Sequence, residues 1–457
     1  MATNIPTART AIILAAGKGM RMKSAMPKVM HAVAGKAMID WSIDLALSVE
    51  CDRTLVVCSP GQPDLKAHVE ARLGPGTVAL QERQLGTGDA VRAARQAFGS
   101  LSGTVVVLYG DTPLIRPESV RSLFEAVEAD ATLGVLGFEA AEPGGYGRLI
   151  MAGDASLSRI IEAKDATAEE RAVTLCNSGV MAGRADKLFA LLERVTNDNA
   201  KGEFYLTDIV GLAKSDGGTN QVVVCEEADV LGVNSRIQLA EANAAFQARK
   251  RSNIMASGVT LLAPETVFFS HDTEIGPDTI VEPNVVFGPG VKIDENVQIK
   301  AFSQLEGAHV SSGAVVGPYA RLRPGSEIGP DVRIGNFVET KNVRLGQGAK
   351  INHLSYAGDG SVGAGANIGA GTIFCNYDGF EKHETHVGAG AFVGSNSALV
   401  APVRVGDGAY IGSGSVITKD VSADALSVAR ARQIERAGWA VTYRSSMQAK
   451  KENTSGE

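Results

Sequence analysis

The chain has 457 residues, 44% hydrophobic and 21% charged, a balance that fits two or three folded domains and argues against wholesale disorder. A formal net charge of −7 argues against a general nucleic-acid binder, which shows a basic face, but leaves room for one local anion site. Five cysteines, at 51, 58, 176, 225 and 375, lie in no metal-like spacing and fit reduced cytoplasmic thiols, and neither a signal peptide nor a membrane span is expected.

Residues 8–234 alternate short apolar runs with helical patterns. Ala11–Ala15, Thr54–Cys58 and Thr104–Tyr109 are short and β-rich, with Gly, Pro or polar flanks, and read as buried parallel strands. Met38–Ser48, Leu65–Leu73 and Asp89–Phe98 carry helix-like spacing between them. Strands alternating with helices imply βαβ units, hence a mostly parallel α/β sheet with helices on both faces. Residues 235–256 hold no Gly or Pro and begin at Ser235, which predicts a capped, continuous connecting helix.

From about residue 275 the period changes to six. Aliphatic residues recur at Ile275, Val281, Phe287, Ile293, Ile299 and Leu305, then at Val316, Leu322, Ile328 and Ile334. The phase returns at Val387, Val393, Leu399, Val405, Ile411 and Ile417. Six residues match one side of a three-sided β-solenoid, each aliphatic residue pointing inward and stacking on its equivalent one coil on. A narrow prism admits few large rings, which accounts for an aromatic content of only 5%. The phase shifts at Thr340–Arg344 and a loop enters at Cys375–His386; insertions of this kind build binding faces. The pattern ends after Ala425, and residues 450–457 are expected to be disordered. The domains are therefore expected at 1–234 and 258–457, joined by a helix at 235–257.

Two segments carry chemistry. The first strand runs into LAAGKGMRMKSAMPKVM, where Ala15, Ala16, Gly17 and Gly19 allow close backbone approach and a nest of N–H donors. Lys18, Arg21 and Lys28 add positive charge, which suits a triphosphate screened for attack at its α-phosphorus. The segment is neither a P-loop nor a dinucleotide fingerprint. Asp111 closes an apolar run at Tyr109-Gly110-Asp111, the strand end where open α/β sheets bind ligands, and a carboxylate there suits Mg²⁺. The second segment is INHLSYAGD. Acyl transfer to an amine needs a base, and His353, beside an inward apolar position, points outward or into a site.

LAAGKGMRM with Pro27–Lys28 resembles the signature of sugar-1-phosphate nucleotidyltransferases. Gln81, Gln84-Leu-Gly-Thr-Gly88, Tyr109-Gly-Asp111, Gly145-Tyr-Gly-Arg148, Glu162-Ala-Lys-Asp165, Asn177-Ser-Gly179, Lys201-Gly-Glu-Phe-Tyr-Leu-Thr-Asp208 and Gly232-Val-Asn234 follow in order. Over its whole length the chain resembles the bifunctional N-acetylglucosamine-1-phosphate uridylyltransferase/glucosamine-1-phosphate N-acetyltransferase family of bacterial cell-wall synthesis. The resemblance implies a Rossmann-like nucleotidyltransferase domain followed by a left-handed parallel β-helix. It implies acetylation of glucosamine 1-phosphate by acetyl-CoA, then uridylyl transfer from UTP to N-acetylglucosamine 1-phosphate, in a cytoplasmic homotrimer that binds neither nucleic acid nor membrane.

The same resemblance assigns roles. Leu14, Ala15, Ala16, Gly17, Lys28, Tyr109, Gly110 and Asp111 hold the nucleotide; Gln81, Gly86 and Thr87 read uracil; Gly147, Glu162 and Asn177 hold the acetamido sugar. Asp111 and Asn234 bind Mg²⁺, with Lys28 and Arg21 neutralising charge. In the solenoid His353 is the base, Arg323 and Lys341 hold the sugar phosphate, and Tyr356 and Asn367 its hydroxyls. Ala370, Asn376, Tyr377, Ser395, Ser413 and Arg430 bind acetyl-CoA, while Lys382 reads as solvated. The chain departs from the family pattern at Met20, usually a hydroxyl residue, and at Ser413, usually alanine. An alternative stays open: a single-function nucleotidyltransferase whose solenoid only trimerises.

Overall fold

The computed structural model describes residues 8–99, 101–199 and 201–454. They form two compact units: one runs to Ile254 and includes Phe269–Asp272, the other comprises Met255–Phe268 and the chain from Thr273.

The first unit is built on strands β1 (Arg9–Leu14), β2 (Arg53–Cys58), β3 (Val78–Leu80), β4 (Thr104–Tyr109), β5 (Leu133–Glu139), β6 (Arg148–Met151), β7 (Leu157–Ile161), β8 (Leu175–Arg184) and β9 (Asn220–Cys225). The sheet order is β9-β5-β8-β4-β1-β2-β3, with β6 and β7 as a hairpin attached to β8. Only β8 runs against its neighbours in the main path. Alternate residues of β1 enter opposite cores. Ala11 and Ile13 pack with Ile39, Ile43, Leu65 and Phe124 on one face, while Ile12 and Leu14 pack with Val91, Ala94, Leu188 and Leu192 on the other. Each fully buried aliphatic side chain stabilises the fold by roughly 1.5–3 kcal/mol. This two-sided burial is why the strands read as unbroken apolar runs. Leu14 pairs with Val57 and Tyr109, so β1, β2 and β4 end together and their following loops share one edge.

The helix Arg236–Ala256 belongs with this unit as far as Ile254. Ser235 caps it: its Oγ accepts from Gln238 N at 3.2 Å.

The second unit is a parallel β-helix of two- to seven-residue strands. Along one face Ile280, Gln298, Val315, Arg333, Lys350, Asn367, Phe392, Tyr410 and Leu426 succeed one another in register, one per coil. The six-residue phase names the interior correctly: Val281, Phe287, Ile293, Ile299, Leu305, Val316, Leu322, Ile328, Ile334, Val387, Val393, Leu399, Val405, Ile411 and Ile417 are all buried. Ile275 is only half buried, because its strand closes one end of its face and no coil lies beyond it. The phase shift at Thr340 has a structural basis. Glu339–Leu345 is one seven-residue strand that pairs with both Arg321–Leu322 and Ser326–Ile328. The inserted loop leaves between strands Ile373–Cys375 and Thr385–Val387.

Disorder from residue 450 is not what the structure shows for Lys450–Thr454, which end the helix Trp439–Thr454. Gln448, Ala449, Lys450 and Lys451 are good helix formers, which favours continuation; residues 455–457 lie outside the described ones.

Candidate functional sites

The first site lies where β1 and β4 end. Gly19 adopts a left-handed φ of 60°, and a Cβ placed there would stand 2.7 Å from Lys28 Cβ, so only glycine lets the loop fold down on Lys28. Lys28 Nζ donates to the Asp111 carboxylate, and to Asn234 Oδ1 at 2.8 Å. Asn234 is brought there by two backbone ties. Val233 N donates to Asp111 O at 2.8 Å, and Asn234 N donates to Gln238 Oε1 at 2.9 Å in the first turn of the long helix. The Lys28 and Asp111 side chains are only 11% and 20% exposed. Removing one partner of such a pair strands the other charge, a cost of about 3–5 kcal/mol. The ammonium lies between two hard oxygen donors, one anionic. That donor set suits a divalent cation of the Mg²⁺ type.

Leu14, Ala15, Ala16, Gly17, Lys28, Gln81, Gly86, Thr87, Tyr109 and Asp111 all line one cleft of about 250 Å³. Val29, Gln84, Ala90 and Glu203 complete it, none of them in the set of residues assigned from the sequence. Gly110 lies beneath, donating to Leu14 O at 3.0 Å. Gly147, Glu162 and Asn177 form a neighbouring group. Asn177 N donates to Gly147 O at 2.8 Å, and Asn177 Oδ1 accepts from Gly179 N at 3.0 Å. Gly179 in turn presses on the Tyr109 ring, where an added Cβ would come within 2.9 Å. Tyr109 joins the two groups: burial raises its phenol, and the charges of Asp111 and Glu162 raise it further. Burial also raises the Glu162 carboxyl, aided by Asp165 and Asp208 and opposed by Lys201. Arg21 is exposed and makes no hydrogen bond or ion pair among the described residues, and the departure at Met20 is 80% exposed.

The second site is a column. One residue per coil, at the same corner, stacks in the order Asn336, His353, Ala370, Ser395. Leu354 N donates to Asn336 O, Gly371 N to His353 O, Asn396 N to Ala370 O and Gly414 N to Ser395 O, at 2.7–3.2 Å. The register of Phe392 on Tyr410 and Val393 on Ile411 carries the column on to Ser413. Arg430 follows one coil later, beside Gly414. His353 is exposed, and its Nδ1 lies 2.6 Å from Asn336 Oδ1. With the amide oxygen accepting, Nδ1 carries the proton and Nε2 turns its lone pair outward, the tautomer a base requires.

Arg323, Lys341, Tyr356 and Asn376 form a second group: Glu339, which Arg323 contacts, and Lys341 lie in register with Tyr356 and Gly358. Asn376 is buried and its Nδ2 donates to Tyr356 Oη at 3.2 Å and to Asp359 Oδ2 at 2.6 Å. The structure thus sets Asn376 against Tyr356, a residue read as a sugar contact. Lys382 is exposed, as read from the sequence, and its charge acts on Lys341. Lys382 holds the Lys341 ammonium below the usual lysine range, and Arg323 adds to the effect. Arg323 donates to Glu339 Oε1 at 2.8 Å. Asn367 lies in register with Lys350 and Phe392, and no hydrogen bond among the described residues joins it to the cluster. Tyr377 is 60% exposed in the inserted loop, its Oη donating to Gly379 O at 2.6 Å. Asn336 and Asp359 were missed from sequence. Asp359 follows Tyr356 in the same motif and was the more accessible of the two.

Comparison with known proteins bears on both units. A family model described as a MobA-like NTP transferase domain matches residues 11–178. A model of six bacterial transferase hexapeptide repeats matches 272–307 and 384–419, in keeping with a left-handed parallel β-helix. The chain is 59% identical over 443 residues to the Bifunctional protein GlmU of Maricaulis maris, covering 97% of this chain and 98% of that protein. It is 56% identical over 457 residues to the protein of the same name from Parvibaculum lavamentivorans, covering all of both chains. The Caulobacter vibrioides protein of that name is 55% identical over 444 residues, 97% of this chain and 96% of its own.

Proposed function

The chain belongs to the GlmU family, and on that premise we propose that its two sites catalyse successive steps in making UDP-N-acetylglucosamine. It is a bifunctional transferase, with nucleotidyltransferase and acetyltransferase activities on one polypeptide. We assign residues 1–234 to uridylyl transfer, 235–257 to the connecting helix and 258–457 to acetyl transfer.

In the solenoid, Arg323, Lys341 and Lys382 hold the phosphate of glucosamine 1-phosphate, Arg323 with its better-matched fork. Tyr356 and Asn367 position the sugar, and Asn376, against Tyr356, lies toward acetyl-CoA. His353 Nε2 takes a proton from the sugar ammonium; the freed amine attacks the thioester carbonyl of acetyl-CoA, and the C–S bond breaks to release CoA. Ala370, Ser395, Ser413, Arg430 and Tyr377 carry CoA along the column and the inserted loop.

In the first unit a phosphate oxygen of N-acetylglucosamine 1-phosphate attacks the α-phosphorus of UTP, and pyrophosphate leaves. The attacking oxygen is already ionised, so the protein supplies position and charge rather than a nucleophile. Backbone N–H groups of Ala15–Gly17, with Lys28 and Arg21, hold the phosphates. Gln81, Gly86 and Thr87 read uracil, and Gly147, Glu162 and Asn177 hold the acetamido sugar. Asp111 and Asn234 hold Mg²⁺, which when bound neutralises charge on the phosphates.

The enzyme works as a homotrimer in the cytoplasm, where UTP and acetyl-CoA are made. Support for assembly comes from an exposed stack on the solenoid: Phe302, Tyr319 and Phe337, with ring centroids 4.9 and 5.3 Å apart, followed by Leu354. Among the described residues no helix is long and apolar enough to cross a membrane.

The observation that carries this reading is the meeting of Lys28 with Asp111 and Asn234, 83 and 206 residues away, with Lys28 and Asp111 lining the cleft shared with the Gly-rich loop. The test supplies full-length protein with glucosamine 1-phosphate, acetyl-CoA, UTP and Mg²⁺. UDP-N-acetylglucosamine should accumulate, and its appearance should require both acetyl-CoA and UTP. Turnover of pre-acetylated sugar phosphate alone would instead favour the single-function enzyme with a structural solenoid.

A further inference from the structure

We propose that Asp89 is the positioning residue that makes the cleft read uracil rather than cytosine, by fixing the amide of Gln81. The inference rests on the uracil-reading role given to Gln81 above. Gln81 is 5% exposed and lines the cleft. Its Nε2 donates to Gly86 O at 3.0 Å and to Asp89 Oδ2 at 2.8 Å. Both amide protons are therefore spent within the protein. Turning the amide over would set Oε1 against a carbonyl and a carboxylate, acceptor against acceptors, so the orientation is forced by chemistry. What remains is Oε1, which takes no hydrogen bond among the described residues.

A fixed acceptor discriminates between pyrimidines. Uracil presents N3–H, a donor; cytosine presents a bare N3 lone pair at the same position. Asp89 is half buried at the third position of the helix Thr87–Phe98 and also suits the positive end of that helix. That second role is structural and blind to the base. Without Asp89, one of the two acceptors that pin the amide is gone. Gln81 can then turn and offer N–H to cytosine.

The experiment measures kcat/KM for UTP and CTP with N-acetylglucosamine 1-phosphate, in the full chain and its Asp89→Ala variant. Acetyl transfer by the same preparations reports folding. The wild type should prefer UTP, and Asp89→Ala should shrink the UTP/CTP ratio about tenfold, the size of effect one misplaced hydrogen-bonding group produces. Asp89→Asn keeps an acceptor oxygen and should hold the ratio within about threefold of wild type. Asp89→Leu, near in shape, serves where alanine disturbs the helix start. A ratio unchanged in Asp89→Ala and Asp89→Leu, with both nucleotides losing rate together, leaves Asp89 a helix-end charge and overturns the proposal alone. A wild type indifferent to the base overturns the uracil reading, and the proposal with it.

Discussion

The two sites are assembled in opposite ways. In the first unit, a sheet gathers residues from distant segments: Lys28, Gln81 and Asp111 line one cleft, and Asn234 joins them through Lys28. In the solenoid, the repeat supplies one residue per coil, and Asn336, His353, Ala370, Ser395 and Ser413 fall into a column. The sheet yields a compact pocket whose cation and anion are already paired. The solenoid yields an open ledge with surplus positive charge and a single outward base. A compact charge-matched cleft suits electrostatic catalysis on a triphosphate; a long ledge suits an extended thioester.

If the two sites are chemically separate, damage to one should spare the other. Asp111→Ala is expected to have the largest effect, a loss on the order of 10⁴-fold in pyrophosphate release, with acetyl transfer within about twofold of wild type. Chelation by EDTA should reproduce that pattern, and a fall in both activities would undo the comparison. His353→Ala is expected to lower acetyl transfer about 10³-fold, in the range for a lost general base, and to leave uridylyl transfer intact. Lys382→Ala sharpens the claim that the ledge is built to hold an anion. It should raise the KM for glucosamine 1-phosphate roughly tenfold, as loss of a charge-assisted contact does, with little change in kcat. An unchanged KM would remove Lys382 from the phosphate site.

The smallest effect concerns stability. Burial raises the Glu162 carboxyl in the folded chain, so folding opposes its ionisation. That penalty is fully present above the folded value and fades as pH falls toward the ordinary value of 4.5. Glu162→Gln should therefore raise the Tm of the first transition at pH 7 by roughly 1–3 °C, with no gain at pH 4, while weakening sugar binding. Equal shifts at both pH values would mean that the charge is not the cause.

Most of the fold was legible in the sequence because its cores are periodic. Met38–Ser48 and Thr104–Tyr109 fall on their elements to the residue, and the inward solenoid residues follow from one phase. The Gly-rich loop, Asp111 and Asn234 were legible as motifs. Asn336 and Asp359 were not, because each gains meaning only from a residue 17 positions later in the next coil. The inserted loop turns back on itself at Asp378-Gly379, a turn signal visible in the sequence, and pairs Tyr377 with Lys382.

If one polypeptide carries two reaction centres linked by a released intermediate, variants that each lack one centre should complement each other. The most direct measurement mixes the Asp111→Ala and His353→Ala full-length proteins with glucosamine 1-phosphate, acetyl-CoA, UTP and Mg²⁺. Each variant alone should make almost no UDP-N-acetylglucosamine, and the mixture should restore it, because the first supplies acetylated sugar phosphate to the second. A mixture as inactive as its components would contradict the account.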